Sequence, residues 1–237
     1  MKYKNPEQQS SDIAERGSLL LYILLGIVLI GALTIALRNT GGGSQNIDTE
    51  DLILKAGQVQ RYGAELSSSV ADLLSNGISE ADIRFAHPDA PTDYGNITTT
   101  PPNQIFGKTG GKANYRTPLI DINDGSPWEF FATTRVPQIG SDKSELIAVL
   151  PNVTEGFCKA INTQLGFTKG SQPTDSTTGS TPDCVMGAST HRFTGTFNDI
   201  SPNIMDLATF SRLPAIQACV YCASGATYNY YYVLITR

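Results

Sequence analysis

An uncharged apolar stretch constrains this chain more than any other feature of its sequence. Residues 18–37 read SLLLYILLGIVLIGALTIAL, twenty residues without Asp, Glu, Lys or Arg. A helix rises about 1.5 Å per residue, so such a stretch reaches about 30 Å, the thickness of the hydrocarbon core of a bilayer. The stretch therefore predicts a single membrane helix.

The charges beside this stretch predict its orientation. Lys2, Lys4 and Arg16 precede it, and only Arg38 follows closely behind it. Lys and Arg near the ends of a membrane helix favour the cytoplasmic side. We therefore expect a cytoplasmic N-terminus, with the bulk of the chain on the other side of the membrane.

Three interpretations of the junction before the stretch are open. A secretory signal peptide has an apolar region of about 7–15 residues and a cleavage site of small residues, whereas this stretch is longer and ends at Leu37-Arg38. A plain signal anchor needs only the apolar helix and the charge bias. The third interpretation is a polar leader that ends at Gly17 and is removed on the cytoplasmic side, which leaves the helix on the mature protein.

The third interpretation is favoured by a resemblance to a known family. Arg16-Gly17 followed by Ser18-Leu19-Leu20-Leu21 resembles the processing site of type IV prepilins and pseudopilins. The resemblance implies that a prepilin peptidase cuts after Gly17, that Ser18 becomes the first mature residue, and that the helix is held in the inner membrane before it packs into a filament at the cell surface or in the periplasm. It leaves open whether such a filament serves adhesion, motility, DNA uptake or secretion.

Two features depart from the family pattern. Tyr22 occupies the fifth mature position, where these families usually carry Glu, so we expect a minor or atypical subunit. Three successive glycines in the 38–47 segment predict a hinge, because each Gly costs about 1 kcal/mol in a helix interior. Without the Glu, we expect close packing of small residues to hold the assembled helices together. The small residues of this helix are Gly26, Gly31, Ala32 and Ala36.

Composition and charge limit the classes of protein to which the rest of the chain can belong. Of the 237 residues, 16% are charged, and 22 Gly with 13 Pro indicate a loop-rich globular chain. Beyond Arg38 there are 13 basic and 19 acidic residues, so this part has no strong electrostatic footprint for nucleic acid. We predict a leader or cytoplasmic tail at 1–17, the membrane helix at 18–37, the hinge at 38–47 and one extracytoplasmic α+β domain at 48–237.

The domain is predicted to begin with a long amphipathic helix at about 50–75, capped by Asp48 or Thr49 and closed by Gly77. Its apolar residues recur at spacings of three and four, which favours packing on a mostly antiparallel sheet over a free partner-binding face. This stripe comprises Leu52, Ala56, Val59, Tyr62, Leu66, Val70 and Leu73.

The rest of the domain predicts short strands, a second helix and a terminal hairpin. A capping box from Asn152 to Glu155 opens the second helix, which carries Cys158 and ends at Gly166. In the run from Tyr228 to Tyr232 we expect half of the tyrosines in the core and half on the surface, since strand residues alternate between faces. The predicted strands are 83–85, 105–106, 119–122, 128–134, 146–150, 215–223 and 228–236, and the second helix is 152–165.

Four cysteines in the outer part predict two structural disulfides. Cys219 and Cys222 form a C-x-x-C, but residues three apart in a strand point to opposite faces and do not easily bond to each other. Two pairings remain: Cys158–Cys219 with Cys184–Cys222, or Cys158–Cys222 with Cys184–Cys219. We favour the first; either pins the second helix and the polar 168–183 loop to the C-terminal strand, as in the pilins that the chain resembles.

No motif in the sequence predicts catalysis. His87 and His191 have no neighbouring Cys or paired carboxylate, and the run from Gly107 to Lys112 lacks the upstream glycine and following helix of a phosphate-binding loop. We therefore predict a structural subunit, without enzymatic activity, cofactor or metal. Its expected partners are other pilin-like subunits, the peptidase and the bilayer. The alternative is a single-pass membrane protein that does not polymerise and whose outer domain binds an envelope component.

Overall fold

The computed structural model describes residues 22–30, 43–167, 173–175, 185, 191–200, 202–205, 207–223 and 225–237. The chain divides into two compact units, Met1–Asp48 and Thr49–Arg237. In the first unit, residues 22–30 are helical, and so is the part of the first long helix that lies before Thr49.

The second unit combines helices with a single described sheet, which confirms the predicted α+β class and its mostly antiparallel pairing. Short 3₁₀ turns at Glu80–Asp82, Thr92–Tyr94, Pro101–Asn103 and Leu207–Thr209 lie in the connections. The helices and strands are α1 Gly43–Ser75, β1 Glu129–Arg135, β2 Glu145–Leu150, α2 Glu155–Gln164, β3 Thr174–Asp175, β4 Asn203–Ile204, β5 Gln217–Cys222 and β6 Thr227–Ile235.

The sheet has the strand order β3-β5-β6-β2-β1-β4. Its four inner strands pair antiparallel, β5 with β6, β6 with β2 and β2 with β1. The two edge strands have only two residues each and pair in parallel. The predicted terminal hairpin is therefore present as β5 and β6, and β6 lies inside the sheet.

The apolar stripe of α1 packs on one face of this sheet, as predicted. From Ala56 to Leu73 its residues are buried in a core with Phe130 and Ala148 of the sheet, while Leu52 at the start is partly buried. Aromatic rings fill the space between helix and strands, including Tyr62 edge-on to Trp128. The stripe is thus occupied by the protein's own sheet.

A second core covers the opposite face of the sheet, and it corrects the prediction for the tyrosine run. Tyr230 belongs to the first core and Tyr231 to the second, and both are fully buried. Tyr228 and Tyr232 are partly buried against the first core. Two of the four tyrosines are thus in the core and two are partly exposed, as expected, but both faces of the strand are buried, where the alternation predicted one surface face. Segments that follow α2 in the chain cover the second face and contribute Phe167, Val185, Met205, Phe210 and Ala215.

Both helices end as predicted. Gly77 and Gly166 have positive φ angles of 85° and 80°, which glycine adopts without a Cβ penalty. The N–H of Ile78 bonds to the carbonyl of Leu73, and that of Phe167 bonds to Asn162, so each end forms a Schellman motif.

The helix starts differ from the predicted ones. α1 begins at Gly43, so Asp48 and Thr49 lie inside the helix, and residues 43–47 of the predicted hinge are helical. A helix extends at little cost past a single Gly once it is nucleated, and no proline interrupts this stretch. Residues 38–42 lie outside the described residues.

The cap of α2 is also corrected. Thr154 is the N-cap, and its Oγ1 accepts a hydrogen bond from the N–H of Phe157 at 3.3 Å. Asn152, the predicted cap, has a φ of 53° and instead donates from Nδ2 to Asp124. The tertiary contact to the 123–126 turn therefore outcompetes the local capping box.

Three predicted strands are absent from the described structure. Residues 83–85 and 105–106 contribute only an isolated bridge between Arg84 and Gln104, because the Pro-rich turns between them end the ladder. Residues 119–122 form an extended segment and a turn, with Asp121 at a φ of 70°. Ile122 is buried without belonging to a strand, which explains the misleading apolar pattern.

Gly63 sets how closely α1 approaches the sheet, and it supplies the first testable prediction. A Cβ at Gly63 would lie 2.5 Å from Cδ2 of Tyr232, whereas one at Gly57 would meet nothing within 4 Å. Gly57→Ala is expected to stabilise the protein by about 0.5–1 kcal/mol through helix propensity. Gly63→Ala is expected to destabilise it by about 1–3 kcal/mol through overpacking, measured by urea unfolding of the full chain in detergent.

The same substitution in a chain without the Tyr232 ring separates the effect of overpacking from that of helix propensity. In a Tyr232→Ala chain the ring is gone and only the Cβ of residue 232 remains, 3.2 Å from the added Cβ, so Gly63→Ala is expected to lose most of its penalty. Equal stabilisation by both alanines in the parent chain would contradict the close approach.

Candidate assembly site

The 22–30 helical segment exposes an unusual amount of apolar surface. Eight of its nine residues are large and apolar, and each is 52–69% exposed. Successive residues of a helix are about 100° apart, so these side chains surround the segment on every side. A helix that is apolar all round needs lipid or other protein around it. The eight residues are Tyr22, Ile23, Leu24, Leu25, Ile27, Val28, Leu29 and Ile30.

The described segment is shorter than the predicted membrane helix. It covers nine of the twenty residues of the 18–37 stretch. Within the residues that the structure describes, no helix is both long enough and apolar enough to cross a bilayer.

Only part of the predicted assembly set falls on described residues. Tyr22 is 69% exposed, and a Cβ added at Gly26 would have open space around it. The predicted processing residues Arg16, Gly17 and Ser18, and the small residues Gly31, Ala32 and Ala36, lie outside the described residues.

The disulfide prediction is confirmed for one of its two pairs. Cys158 of α2 bonds to Cys219 of β5, with the two Cα atoms 5.3 Å apart. This bond excludes the alternative pairing of Cys158 with Cys222, and Cys219 and Cys222 do belong to opposite faces of the sheet. Cys222 is also disulfide-bonded. Cys184, the partner predicted for Cys222, lies outside the described residues.

A second contact joins the same two elements, and sequence reasoning missed it. Asn162 lies one turn after Cys158 in α2, and its side chain is buried. Its Nδ2 donates to the carbonyl of Cys219 at 2.7 Å, and its Oδ1 accepts from the N–H of Cys219 at 2.9 Å. The carboxamide thus occupies the place of a neighbouring strand at the outer edge of β5. We call Cys158, Asn162 and Cys219 the Cys219 clamp.

The clamp fixes α2 and the C-terminal strands to one another. The disulfide closes a sequence separation of 61 residues, for which the chain-entropy model gives about 4 kcal/mol of stabilisation. The amide pair satisfies two backbone groups that would otherwise be buried without partners. The only sequence signal for Asn162 was a polar residue four positions after a cysteine on a buried helix face.

The side chains considered for catalysis do not converge. His87 stacks on Tyr115 with ring centroids 4.3 Å apart and pairs with Asp89 at 3.6 Å, whereas His191 is exposed in a separate segment. The run from Gly107 to Lys112 forms turns and no helix follows it directly. Among the described residues, no group of three or more His, Cys, Asp or Glu could hold a metal ion.

An open groove of about 510 Å³ lies beside Tyr115 and the 117–127 segment. Its carboxylates belong to separate turns, and Asp124 already accepts hydrogen bonds from the N–H of Ser126 and from Asn152. These bonds lower the pKa of Asp124 although burial opposes them. The groove therefore presents a carboxylate held in its charged form by the fold, and no paired acid and base. That the chain is not an enzyme stays a prediction.

The Cys219 clamp supplies the second testable prediction. Asn162→Ala removes both partners of the Cys219 backbone and is expected to lower the free energy of unfolding by about 2–4 kcal/mol with the disulfide intact. Thr163→Ala, at the next, exposed position of the same helix, is the matched control and is expected to change it by less than about 0.5 kcal/mol. Urea unfolding under non-reducing conditions measures both, and equal effects would contradict the clamp.

No family model, curated protein or solved structure matches this chain. Three features of the chain bear on its function: the exposed apolar helix, the sequence before that helix, and a domain whose sheet has a core on each face.

Proposed function

We propose that this protein is a pilin-like subunit, minor or atypical, that is held in the inner membrane by its N-terminal helix and assembles through that helix into a filament. The observation that carries the proposal is the apolar surface of the 22–30 segment, which is exposed on all sides. Such a surface is stable in lipid and equally in a bundle of similar helices, which are the two environments that a filament subunit occupies in turn.

The sequence before the helix supports assembly over simple anchoring. Arg16-Gly17-Ser18 matches the processing site of the family, and a cut there would leave the whole apolar helix on the mature chain. A plain anchor has no need of such a junction. Tyr22 in place of the family's Glu is the reason to propose a minor or atypical subunit.

The outer domain supports a structural role. The apolar stripe of α1 is buried on the sheet, and the sheet has a core on each face. The Cys158–Cys219 bond and the Asn162 amide pair hold the C-terminal strands to α2. A domain closed in this way resists unfolding when it is displayed outside the cell, and its assembly contacts are left to the N-terminal helix.

The third testable prediction concerns processing. If a peptidase removes the leader, mass spectrometry of the membrane-bound protein is expected to show Ser18 as its first residue. Gly17→Val is expected to block the cut, because the side chain does not fit a peptidase site shaped for Gly. The control is Lys4→Ala, which changes the leader away from the site and should leave the cut unchanged. Met1 retained on the parent protein would overturn the pilin-like proposal.

The fourth testable prediction concerns how the helices pack. A photo-crosslinking residue at Leu24 is expected to join neighbouring subunits in membranes that contain the assembly machinery. Ala32→Leu with Ala36→Leu is expected to abolish this crosslink without preventing insertion, because it raises hydrophobicity but blocks close approach of the helices. Val28→Leu, which also raises hydrophobicity but replaces no small residue, should leave the crosslink in place.

The same experiment separates the alternative function. A single-pass protein that does not polymerise would give no crosslink between copies in the parent chain, even with all assembly partners present. That result would favour an anchored domain that binds an envelope component.

A further inference from the structure

Glu145 is an ionisable group in the interior of the domain. It begins β2 and its side chain is 0% exposed. Its Oε2 accepts a hydrogen bond from the N–H of Val136 at 2.7 Å. Its Oε1 is buried and has no hydrogen-bond partner in the part of the chain that the structure describes. The carboxyl is therefore only half satisfied.

The charged groups around this carboxyl are committed to other partners. Arg135 pairs with Asp142, and Arg237 pairs with Glu80 at 3.0 Å and with Asp199 at 2.9 Å. No ion pair joins either guanidinium to Glu145 among the described residues. Tyr231 of β6 is close enough for an ionised Glu145 to raise its pKa. The titratable and charged groups around the site and in its ion pairs are Glu80, Arg135, Asp142, Asp199, Tyr231 and Arg237.

Burial controls the protonation of this group. Removal from water disfavours the charged form and raises the pKa of Glu145 from 4.5 to about 7, although the Val136 N–H and the charges of Arg135 and Arg237 act in the opposite direction. The side chain is thus mostly neutral at pH 6 and mostly charged at pH 8. A buried carboxylate with one unpaired oxygen is costly, so the charged form favours any rearrangement that brings it to water.

The chain that covers Glu145 is the loop between β1 and β2, residues 136–144. Val136 and Ile139 are its buried residues in the second core, whereas residues 140–143 are exposed. Its exposed part is held by the N–H of Ser141, which donates to the carbonyl of Arg237, and by the pair of Arg135 with Asp142. Its end is held by the buried Ser144, whose Oγ donates to the carbonyl of Ala132. Opening this loop would release the Val136 N–H from the carboxyl and bring water to it.

We propose that Glu145 is a pH-sensitive closing group for the β1–β2 loop: the protonated side chain holds the loop closed, and ionisation opens the loop so that the carboxylate reaches water. The inference is independent of the proposed filament function, since it concerns only the outer domain. Its consequence is that this end of the domain, which includes the contact of the loop with the C-terminus, is more ordered below neutral pH than above it.

The size and sign of the effect follow from linkage. In the closed state Glu145 titrates near 7 and in the open state near 4.5, so opening releases a proton between these values. The opening constant of the loop therefore rises about 40-fold from pH 5 to pH 7 and levels off above about pH 8. The stability that the protonated group contributes is complete below pH 4.5 and is lost as the pH rises to about 7.

The fifth testable prediction is a hydrogen-exchange experiment on the full chain in detergent, with rates corrected for intrinsic exchange. The Val136 amide is expected to lose protection by about 40-fold between pH 5 and pH 7, whereas the amide of Val149 in the middle of β2 stays more protected throughout. In the Glu145→Gln variant, the protection of the Val136 amide is expected to become independent of pH over this range. Glu155→Gln, which removes an exposed glutamate of α2, is the matched control and should keep the pH dependence.

Two outcomes would overturn the inference. Protection of Val136 that does not change between pH 5 and pH 7 would show that ionisation does not open the loop. Identical opening constants for Val136 and Val149 would show global unfolding in place of a local change. If Glu145→Gln does not fold, a ¹³C titration of the Glu145 carboxyl in the parent chain decides: a midpoint near 4.5 contradicts the proposal, and a midpoint raised above 4.5, towards the closed-state value of about 7, supports it.

Discussion

The alternation of side chains along β6 is the constraint on which the rest of the domain depends. Tyr230 lies in the core beneath α1 and Tyr231 lies in the core on the other face, so large side chains of β6 are buried on both faces of the sheet. Both faces must then be covered, one by α1 and the connections that follow it, the other by segments that follow α2. The close approach of Gly63 to Tyr232 and the buried position of Glu145 both result from this double coverage.

A sheet with two buried faces still has two edges, and here side chains help to close both. Asn162 pairs with the backbone of Cys219 at the outer side of β5, and the hydroxyl of Tyr94 accepts from the N–H of Phe130 at 2.7 Å at the outer side of β1. Unpaired edge groups invite strand addition by other chains. Closure of these edges is consistent with a domain that leaves assembly to its N-terminal helix.

Apolar surface is thus distributed very unequally along this protein. The described domain keeps its large aromatic side chains buried or partly buried, whereas the 22–30 segment exposes all eight of its large apolar side chains. A surface of that kind is unfavourable in water and favourable in lipid or in a helix bundle. This contrast supports the proposed subunit more than any feature of the outer domain does.

The sequence alone determined the elements whose pattern is local. The stripe of α1, the glycines that end both helices, the terminal hairpin and the separation of Cys219 from Cys222 onto opposite faces could all be predicted, because each depends on a period or a backbone angle. Tertiary structure decided the rest. Asn152 does not cap α2 but donates to Asp124 in a distant turn. Asn162 bonds to the backbone of Cys219, 57 residues away. Tyr231 is buried because segments remote in the chain cover its face of the sheet. Local patterns carry no information about which distant segment fills a space, so these contacts and the titration of Glu145 emerge only when the chain is folded.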